Sequence, residues 1–185
     1  QFYINGSWVD SESNEKIEVI NPANEKIIGH VTAGTKGDID RAVAAAFQAF
    51  SFFQYTSKDE RIELLNSIIS EYENRYDDFV QTITEEMGAP LWLSEKAQAS
   101  TGIKNIHETL DALKDYQFEK PEGDYTLIKE PIGVIGMITP WNWPMNQITT
   151  KVSAALAAGC TMVLKPSEIS PYCAMLLAEV FDAAG

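Results

Sequence analysis

The sequence predicts an α/β fold with a doubly wound parallel sheet, preceded by a small β region and several helices. Residues Ile132–Ile138 form an apolar, β-branched stretch, which is typical of a strand buried on both faces of a parallel sheet. From Pro144 to Gly159 apolar residues recur at helical spacing, and Thr161–Leu164 then predict a second buried strand. These segments form a Rossmann-like βαβ unit, and Pro171–Ala184 predict the helix that follows it.

Short strands and four helices are predicted before this unit. We expect a hairpin over Phe2–Val9, which turns at Asn5-Gly6, and two more short strands over Ile17–Ile20 and Lys26–Val31. Together they are typical of a small edge sheet.

The first predicted helix, Asp38–Phe50, has one apolar stripe that we interpret as ordinary core. The stripe consists of Ile39, Ala42, Val43, Ala46, Phe47 and Phe50. Ser57 and Glu60 predict a capping box at the start of the second helix. A third helix is expected over about Tyr76–Met87. A long fourth helix over about Leu91–Tyr116 is expected to turn Trp92, Ile103, Ile106, Leu110 and Leu113 inward.

The composition argues against several classes of function. An apolar share of 45% is enough to bury a sizeable core in 185 residues. Fourteen basic and twenty-seven acidic residues give a net charge of −13, which disfavours binding to nucleic acid or to an anionic membrane surface. We find no signal peptide, no apolar run that could span a bilayer and no metal-ligand spacing. The chain begins at Gln1 without a methionine, which is compatible with a start further upstream.

The two cysteines, Cys160 and Cys173, do not form a disulfide framework, so we expect a reducing, cytoplasmic setting. Neither is predicted to be a nucleophile. Cys160 follows a helix carboxyl terminus, which is the wrong pole for stabilising a thiolate. Cys173 lies in a first helical turn, a position that could lower its pKa.

Polar and aromatic residues follow both predicted strands of the βαβ unit. The first group is I-T-P-W-N-W-P at Ile138–Pro144, and the second is V-L-K-P-S-E at Val163–Glu168. A small-residue run, A-A-L-A-A-G at Ala154–Gly159, lies between them. Because ligands of doubly wound sheets bind beyond the carboxyl ends of the strands, both groups are expected at a binding site.

These three motifs, in this order and at this spacing, resemble the NAD(P)-dependent aldehyde dehydrogenase superfamily. The resemblance covers essentially the whole chain, but only about the first part of a family member. It implies that residues 1–117 are strands and helices of the cofactor-binding domain and that residues 131–185 are the first βαβα unit of that domain. Residues 118–130 would form a projecting hairpin that joins subunits; the alternative is a surface loop that leads into the sheet.

Asn142 is the first catalytic candidate. It lies just past a strand end, where a rigid amide donor suits an oxyanion. The resemblance implies that Asn142 stabilises the thiohemiacetal oxyanion together with a backbone N–H of the catalytic cysteine. From the residues alone, Asn142 could instead cap the following helix.

The resemblance also implies roles for three nearby residues. It places Lys151 near the catalytic acid–base machinery; a buried lysine would have its charge disfavoured unless it is partnered. Trp143 and Gln147 correspond to positions that line the aldehyde tunnel, although Trp143 fits a core aromatic equally well.

Lys165 and Glu168 are predicted to bind the adenosine ribose of NAD. An ammonium donates to the ribose hydroxyls, and a carboxylate accepts from the 2′-OH. The same carboxylate would repel a 2′-phosphate, so Glu168 favours NAD; NADP stays an alternative because a glutamate can swing aside. Without the resemblance, both side chains fit solvated loop residues. The other residues expected to line the cofactor site are Ile138, Thr139, Pro140, Trp141 and Ser167.

The resemblance implies that the pyrophosphate-binding glycines, the general-base glutamate and the nucleophilic cysteine lie beyond residue 185. We therefore expect part of an NAD-dependent aldehyde dehydrogenase that oxidises an aldehyde to a carboxylic acid through a thiohemiacetal on a cysteine outside this stretch. A homo-oligomer, either a dimer or a tetramer, is expected. One alternative is a truncated, non-catalytic relic that acts as a nucleotide-binding or oligomerisation module. Another is a relative that acylates coenzyme A or reduces an acyl phosphate.

Overall fold

The computed structural model describes all residues, 1–185, and begins with two antiparallel hairpins. Their strands are β1 (Phe2–Ile4), β2 (Ser7–Val9), β3 (Lys16–Asn21) and β4 (Lys26–Thr32). The turn between β1 and β2 holds Asn5 and Gly6 at φ values of 53° and 69°, as a tight hairpin turn requires. The four strands predicted in this region are therefore present, with bounds that differ by at most one residue.

Three helices follow, namely α1 (Lys36–Phe53), α2 (Lys58–Asn74) and α3 (Tyr76–Met87). The capping box predicted at α2 is confirmed. The Ser57 Oγ accepts from the Glu60 N–H at 3.2 Å, and the Glu60 carboxylate accepts from the Ser57 N–H at 2.6 Å. A second capping box, formed by Thr35 and Asp38 at the start of α1, was missed by the sequence analysis.

The fourth helical region is not uniform. It comprises α4 (Leu91–Leu93), a π-helical segment (Ser94–Ala99) and α5 (Ser100–Asp115). The Tyr72 hydroxyl donates to the Ala99 carbonyl at 2.9 Å, at the junction of the π segment and α5. Trp92, which was predicted to face inward, is mostly exposed because it lies before the part of the helix that packs on α2 and α6.

Residues 118–130 contain a third antiparallel pair, β5 (Glu119–Glu122) and β6 (Tyr125–Ile128). All four side chains of β6 are exposed. The turn between the strands holds Gly123 at a φ of 65°, in the left-handed region that favours glycine.

The predicted βαβ unit is confirmed, although its second strand is half-buried over Thr161–Leu164 rather than buried as predicted. Its elements are β7 (Val134–Ile138), α6 (Pro144–Ala157), β8 (Thr161–Lys165) and the following helix α7 (Tyr172–Ala184). The strands β7 and β8 are parallel, with Val134 opposite Thr161 and Ile138 opposite Lys165. The α/β fold class predicted from the sequence is therefore correct.

The prediction that β7 spans Ile132–Ile138 and is buried on both faces was wrong. The strand begins two residues later, Met137 alone in it is buried, and Ile132 and Ile138 are exposed. The physical reason is that β7 pairs with β8 alone, so its other edge and part of its faces remain open.

The apolar stripe of α1 is a second correction. Ile39, Val43 and Phe47 are 56%, 44% and 69% exposed, and Ala46 is the buried member of the stripe. The helix contacts β8 on its Ala46 side, where the Thr161 hydroxyl donates to the Ala46 carbonyl at 2.7 Å. The periodicity identified an apolar face, but it could not show whether another element covers that face.

The main core lies among α2, α3, α5, α6 and α7. Tyr72 and Phe79 stack at its centre with ring centroids 4.2 Å apart. None of the helices combines the length and the apolar character that crossing a membrane requires.

Candidate functional site

The candidate site lies where β7 and β8 end at the same edge of their sheet. Residues 139–143, here called the first loop, connect β7 to α6. Residues 166–171, here called the second loop, connect β8 to α7. Because Ile138 is opposite Lys165 in the parallel register, the two loops leave the sheet side by side.

Two hydrogen bonds hold these loops together. The Thr139 N–H donates to the Lys165 carbonyl at 3.3 Å, which extends the strand pairing by one step. Further out, the Ser170 hydroxyl donates to the Trp141 carbonyl at 3.1 Å. The polar residues that the sequence placed in two separate motifs therefore share one edge of the molecule.

Asn142 lies in the first loop, and its side chain is exposed. The N-cap residue of α6 is Trp143, and no side chain caps this helix, so the alternative interpretation of Asn142 as a helix cap is wrong. Trp143 has a φ of 54° and a ψ of 57°, a left-handed conformation that costs about 1–2 kcal/mol for a residue other than glycine. This bend separates Asn142 from the helix that starts at Pro144 and leaves its amide free to donate to a ligand.

Lys165 and Glu168 form an ion pair at the start of the second loop, with 3.0 Å between Nζ and Oε2. A hydrogen bond from its own backbone N–H, and then the Lys165 ammonium, lower the pKa of Glu168, so the carboxylate is ionised at neutral pH. More than half of each side chain is exposed. Ser167 is buried, and its hydroxyl oxygen accepts from the Ile169 N–H at 3.2 Å, which tightens the loop.

Lys151 lies in α6 and is half-buried. Its ammonium donates to the Gln147 carbonyl at 3.0 Å and to the Gln147 side-chain oxygen at 3.4 Å, and it forms no ion pair with a carboxylate. Lys151 and Ile138 line the same groove, about 520 Å³ in volume, along the open edge of β7. Asn142, Lys165 and Glu168 are not part of the groove lining. The structure therefore brings Lys151 close to the end of β7 but not to the ion pair.

Thr139 carries a signal that the sequence analysis did not assign to its side chain. The residue is buried, and its hydroxyl oxygen has no hydrogen-bond partner. A buried polar atom without a partner is unfavourable, and its usual explanation is an interaction that forms with water or a ligand. Pro140 and Trp141, which follow it in the first loop, are exposed.

Neither cysteine is placed as a nucleophile. Cys160 and Cys173 are free, buried thiols. Burial, and then the nearby Glu86 carboxylate, raise the pKa of Cys173 well above its usual range. The position of Cys173 at a helix start could lower its pKa, but burial opposes and outweighs that effect.

Glu86 is a residue near the site that the sequence analysis missed. It lies in the last turn of α3, is fully buried, and accepts hydrogen bonds from the first backbone N–H groups of α7. The sequence did contain a signal for its burial, because Glu86 follows Phe79 and Ile83 at helical spacing and so lies on the buried face of α3, whereas Glu85 beside it is exposed.

Comparison with known proteins identifies the family. The model of the aldehyde dehydrogenase family matches residues 8–185. The chain belongs to the aldehyde dehydrogenase family. A curated relative from Staphylococcus aureus (strain USA300), itself assigned to the aldehyde dehydrogenases, is 54% identical over 183 residues. The alignment covers 99% of this chain and 38% of the relative, so the chain spans well under half the length of the curated relatives it matches.

Solved structures share the fold, and two of them are aldehyde dehydrogenases. The enzyme from Bartonella henselae superimposes with a TM-score of 0.97 at 45% identity, over 99% of this chain and 39% of that one. Aldehyde dehydrogenase C from Pseudomonas syringae, a C291A mutant complexed with NAD+ and octanal, gives 0.97 at 43% identity over 100% and 38%. An NADP-dependent Escherichia coli enzyme gives 0.90 at 35% identity over 98% and 39%.

Proposed function

We propose that this chain provides the oxyanion donor and the adenosine-ribose contacts of an NAD-dependent aldehyde dehydrogenase, which oxidises an aldehyde to a carboxylic acid. The observation that carries the proposal is the uncommitted amide of Asn142, exposed just beyond β7 and beside the loop that holds the Lys165–Glu168 pair. Membership of the family and similarity to a structure that contains NAD+ and octanal support the reaction class.

The residues at the two strand ends fit a nicotinamide dinucleotide. The Lys165 ammonium is a donor and the Glu168 carboxylate an acceptor, and they lie 3.0 Å apart. One ribose hydroxyl can therefore accept from Lys165 while its neighbour donates to Glu168. The buried, unpartnered Thr139 hydroxyl offers a further polar contact at the same edge. When bound, the cofactor supplies the acceptor for the hydride that leaves the aldehyde carbon.

Glu168 favours NAD over NADP, because its ionised carboxylate would repel a 2′-phosphate. The similarity to an NADP-dependent enzyme keeps NADP as the alternative cofactor. Ser167 and the first-loop residues up to Trp141 complete the proposed cofactor contacts. Ile138 contributes its backbone at the end of β7.

In the proposed reaction, Asn142 donates its amide to the oxyanion of a thiohemiacetal, formed on a cysteine outside this stretch. A positioned donor stabilises the charge that develops on that oxygen and needs no reorganisation during the reaction. Lys151, which lacks a carboxylate partner, is proposed to act near the acid–base groups, and Trp143 and Gln147 to line the path of the aldehyde.

Residues 118–130 are proposed to join subunits in a homo-oligomer, a dimer or a tetramer. The support is that Tyr125, Leu127 and Ile128 of β6 are exposed on a projecting hairpin. Residues 1–117 and 131–185 are proposed as the two parts of the cofactor-binding domain in this chain. The free state of both cysteines is consistent with a cytoplasmic setting.

Turnover of the intact protein with NAD and octanal tests the proposal. Asn142→Ala should lower kcat by about two to three orders of magnitude, since one oxyanion donor is lost, while the Kd for NAD stays the same. Asn66→Ala removes the same amide from the exposed face of α2 and is the matched control, for which unchanged turnover is expected. Unchanged turnover in Asn142→Ala would refute the oxyanion role, and a wild-type protein that reduces no NAD with any aldehyde would refute the function.

A further inference from the structure

Glu86 is a carboxylate with an unusual environment. It is fully buried in the last turn of α3, yet no lysine, arginine or histidine forms an ion pair with it. Its Oε2 accepts from the Tyr172 N–H at 2.7 Å, and its Oε1 accepts from the Cys173 N–H at 3.1 Å. These donors are the first two N–H groups of α7, which has no side-chain cap from its own segment. Glu86 therefore caps a helix that starts 86 residues later in the chain.

This arrangement is energetically demanding. A buried carboxylate without a cation loses its hydration, and here the compensation comes from the Cys173 thiol, two backbone donors and the positive end of α7. Desolvation raises the pKa of Glu86 to about 7. The groups that face it are the Cys173 thiol and the Tyr172 phenol of α7, neither of which supplies a positive charge. An exposed serine or aspartate at the start of α7 would cap the helix with less desolvation.

The position of this cap connects it to the candidate site. The second loop begins at the end of β8, where the Lys165 carbonyl is paired with the first loop. It ends at Pro171, directly before the two N–H groups that Glu86 holds. Glu168 lies only four residues before Tyr172, so the ends of the loop are fixed by the sheet on one side and by Glu86 on the other.

We propose that Glu86 is a positioning residue for cofactor binding, which fixes the first turn of α7 and so holds Glu168 and Ser167 in place. The inference rests on the proposed function, because that function assigns the second loop to the ribose. Without both hydrogen bonds, the first turn of α7 frays, and the loop spends less time in the binding conformation. The apparent affinity for NAD then falls in proportion to that lost population.

Glu86→Gln in the intact enzyme tests the proposal. Glutamine has the same shape but one acceptor oxygen, so its NH2 group must face one of the two N–H donors. We expect the Kd for NAD, measured by calorimetry, to rise about three- to tenfold, as the loss of one hydrogen bond implies. The kcat at saturating NAD and the KM for octanal should not change. The matched control is Glu85→Gln, the same charge change at the exposed neighbouring residue, which should bind NAD as the wild type does.

Hydrogen exchange at the Tyr172 and Cys173 amides provides a second measurement, and faster exchange in Glu86→Gln is expected. An unchanged Kd for NAD in Glu86→Gln would overturn the positioning role. So would a fall in kcat accompanied by a higher KM for octanal, which would indicate general damage to the fold. A wild-type protein that does not bind NAD would refute the proposed function instead. Whatever the activity, unchanged hydrogen exchange at the Tyr172 and Cys173 amides in Glu86→Gln would show that Glu86 does not stabilise the first turn of α7, and it would overturn the proposal.

Discussion

Replacement of Gly102 by alanine tests whether α5 packs closely against α6 at this residue. The contact matters for the site because α6 directly follows the first loop, which contains Asn142. A Cβ at position 102 would lie 2.5 Å from the Tyr72 hydroxyl oxygen and 2.8 Å from the Met145 Cβ. Met145 is the second residue of α6 and follows Asn142 by three positions. The Tyr72 hydroxyl is held by its hydrogen bond to the Ala99 carbonyl. Neither neighbour can rotate away without a change in the backbone or the loss of that bond.

Two effects of opposite sign determine the outcome. Alanine in a helix interior is favoured over glycine by about 1 kcal/mol, which would stabilise α5. Overpacking of a filled core costs about 1–3 kcal/mol, and a displaced Tyr72 would lose a hydrogen bond worth about 1 kcal/mol. The sum is a net destabilisation of about 1–3 kcal/mol. Because the Met145 Cβ is attached directly to the α6 backbone, relief of the collision must shift α5 and α6 relative to each other, and with α6 the first loop that contains Asn142.

Thermal unfolding of the intact protein measures this effect, and the Tm of Gly102→Ala should fall by about 1 °C or more. Gly136→Ala is the stability control, because a Cβ there meets no atom within 4 Å. Turnover of Gly102→Ala should also fall, since small displacements of a catalytic group are expensive. A variant as stable as the wild type, or more stable, is what helix propensity alone predicts, and it would refute the packing argument.

Three further predictions concern charge. In the folded protein the pKa of Glu86 is raised from 4.5 to about 7. Between these pH values Glu86 is protonated in the folded state and ionised in the unfolded state. The free energy of unfolding should therefore fall as the pH rises through this range. Glu86→Gln should flatten the corresponding decline of Tm with pH; parallel profiles would contradict this. Glu168→Gln removes the charge that repels a 2′-phosphate, so the ratio of kcat/KM for NADP to that for NAD should rise, and a constant ratio would argue against the ribose contact. Leu127→Glu places a charge on exposed β6 and should lower the oligomer mass in light scattering; an unchanged mass would exclude this hairpin from the subunit interface.

Features that depend on neighbours in sequence could be predicted from the sequence. The capping box of Ser57 and Glu60 and the βαβ unit both follow from residue types at short, fixed spacings. The stripe of α1 shows the limit of the same reasoning. An apolar period of 3.6 residues specifies which side chains share a face, but Phe47 is exposed because no element of this chain packs over it.

The candidate site also contains some features that the sequence predicted and others that it did not. The two motifs placed Asn142 and the Lys165–Glu168 pair at neighbouring strand ends, because parallel strands end at one edge of a sheet. The π-helical segment before α5 and the left-handed Trp143 were not predicted, since neither conformation is the preferred one for the residue types present. Helical spacing places Glu86 on the buried face of α3, but its role as a cap could not be predicted, because its partners are backbone N–H groups that any amino-acid type at positions 172 and 173 other than proline would supply.

The two loops of the site therefore depend on different parts of the helical region. The first loop leads into α6, and α6 is set by its contact with α5, where Asn105 donates to the Asn146 side-chain oxygen at 3.0 Å and to the Thr149 hydroxyl at 3.1 Å. The second loop leads into α7, whose first turn is set by α3 through Glu86. Damage to the α5–α6 contact should then appear in both turnover and cofactor affinity, because the first loop contains Asn142 and proposed cofactor contacts, whereas damage to the α3–α7 contact should appear in cofactor affinity alone. Helices α3 and α5 therefore affect the site directly, because α5 fixes the position of the first loop through α6 and α3 fixes that of the second loop through α7.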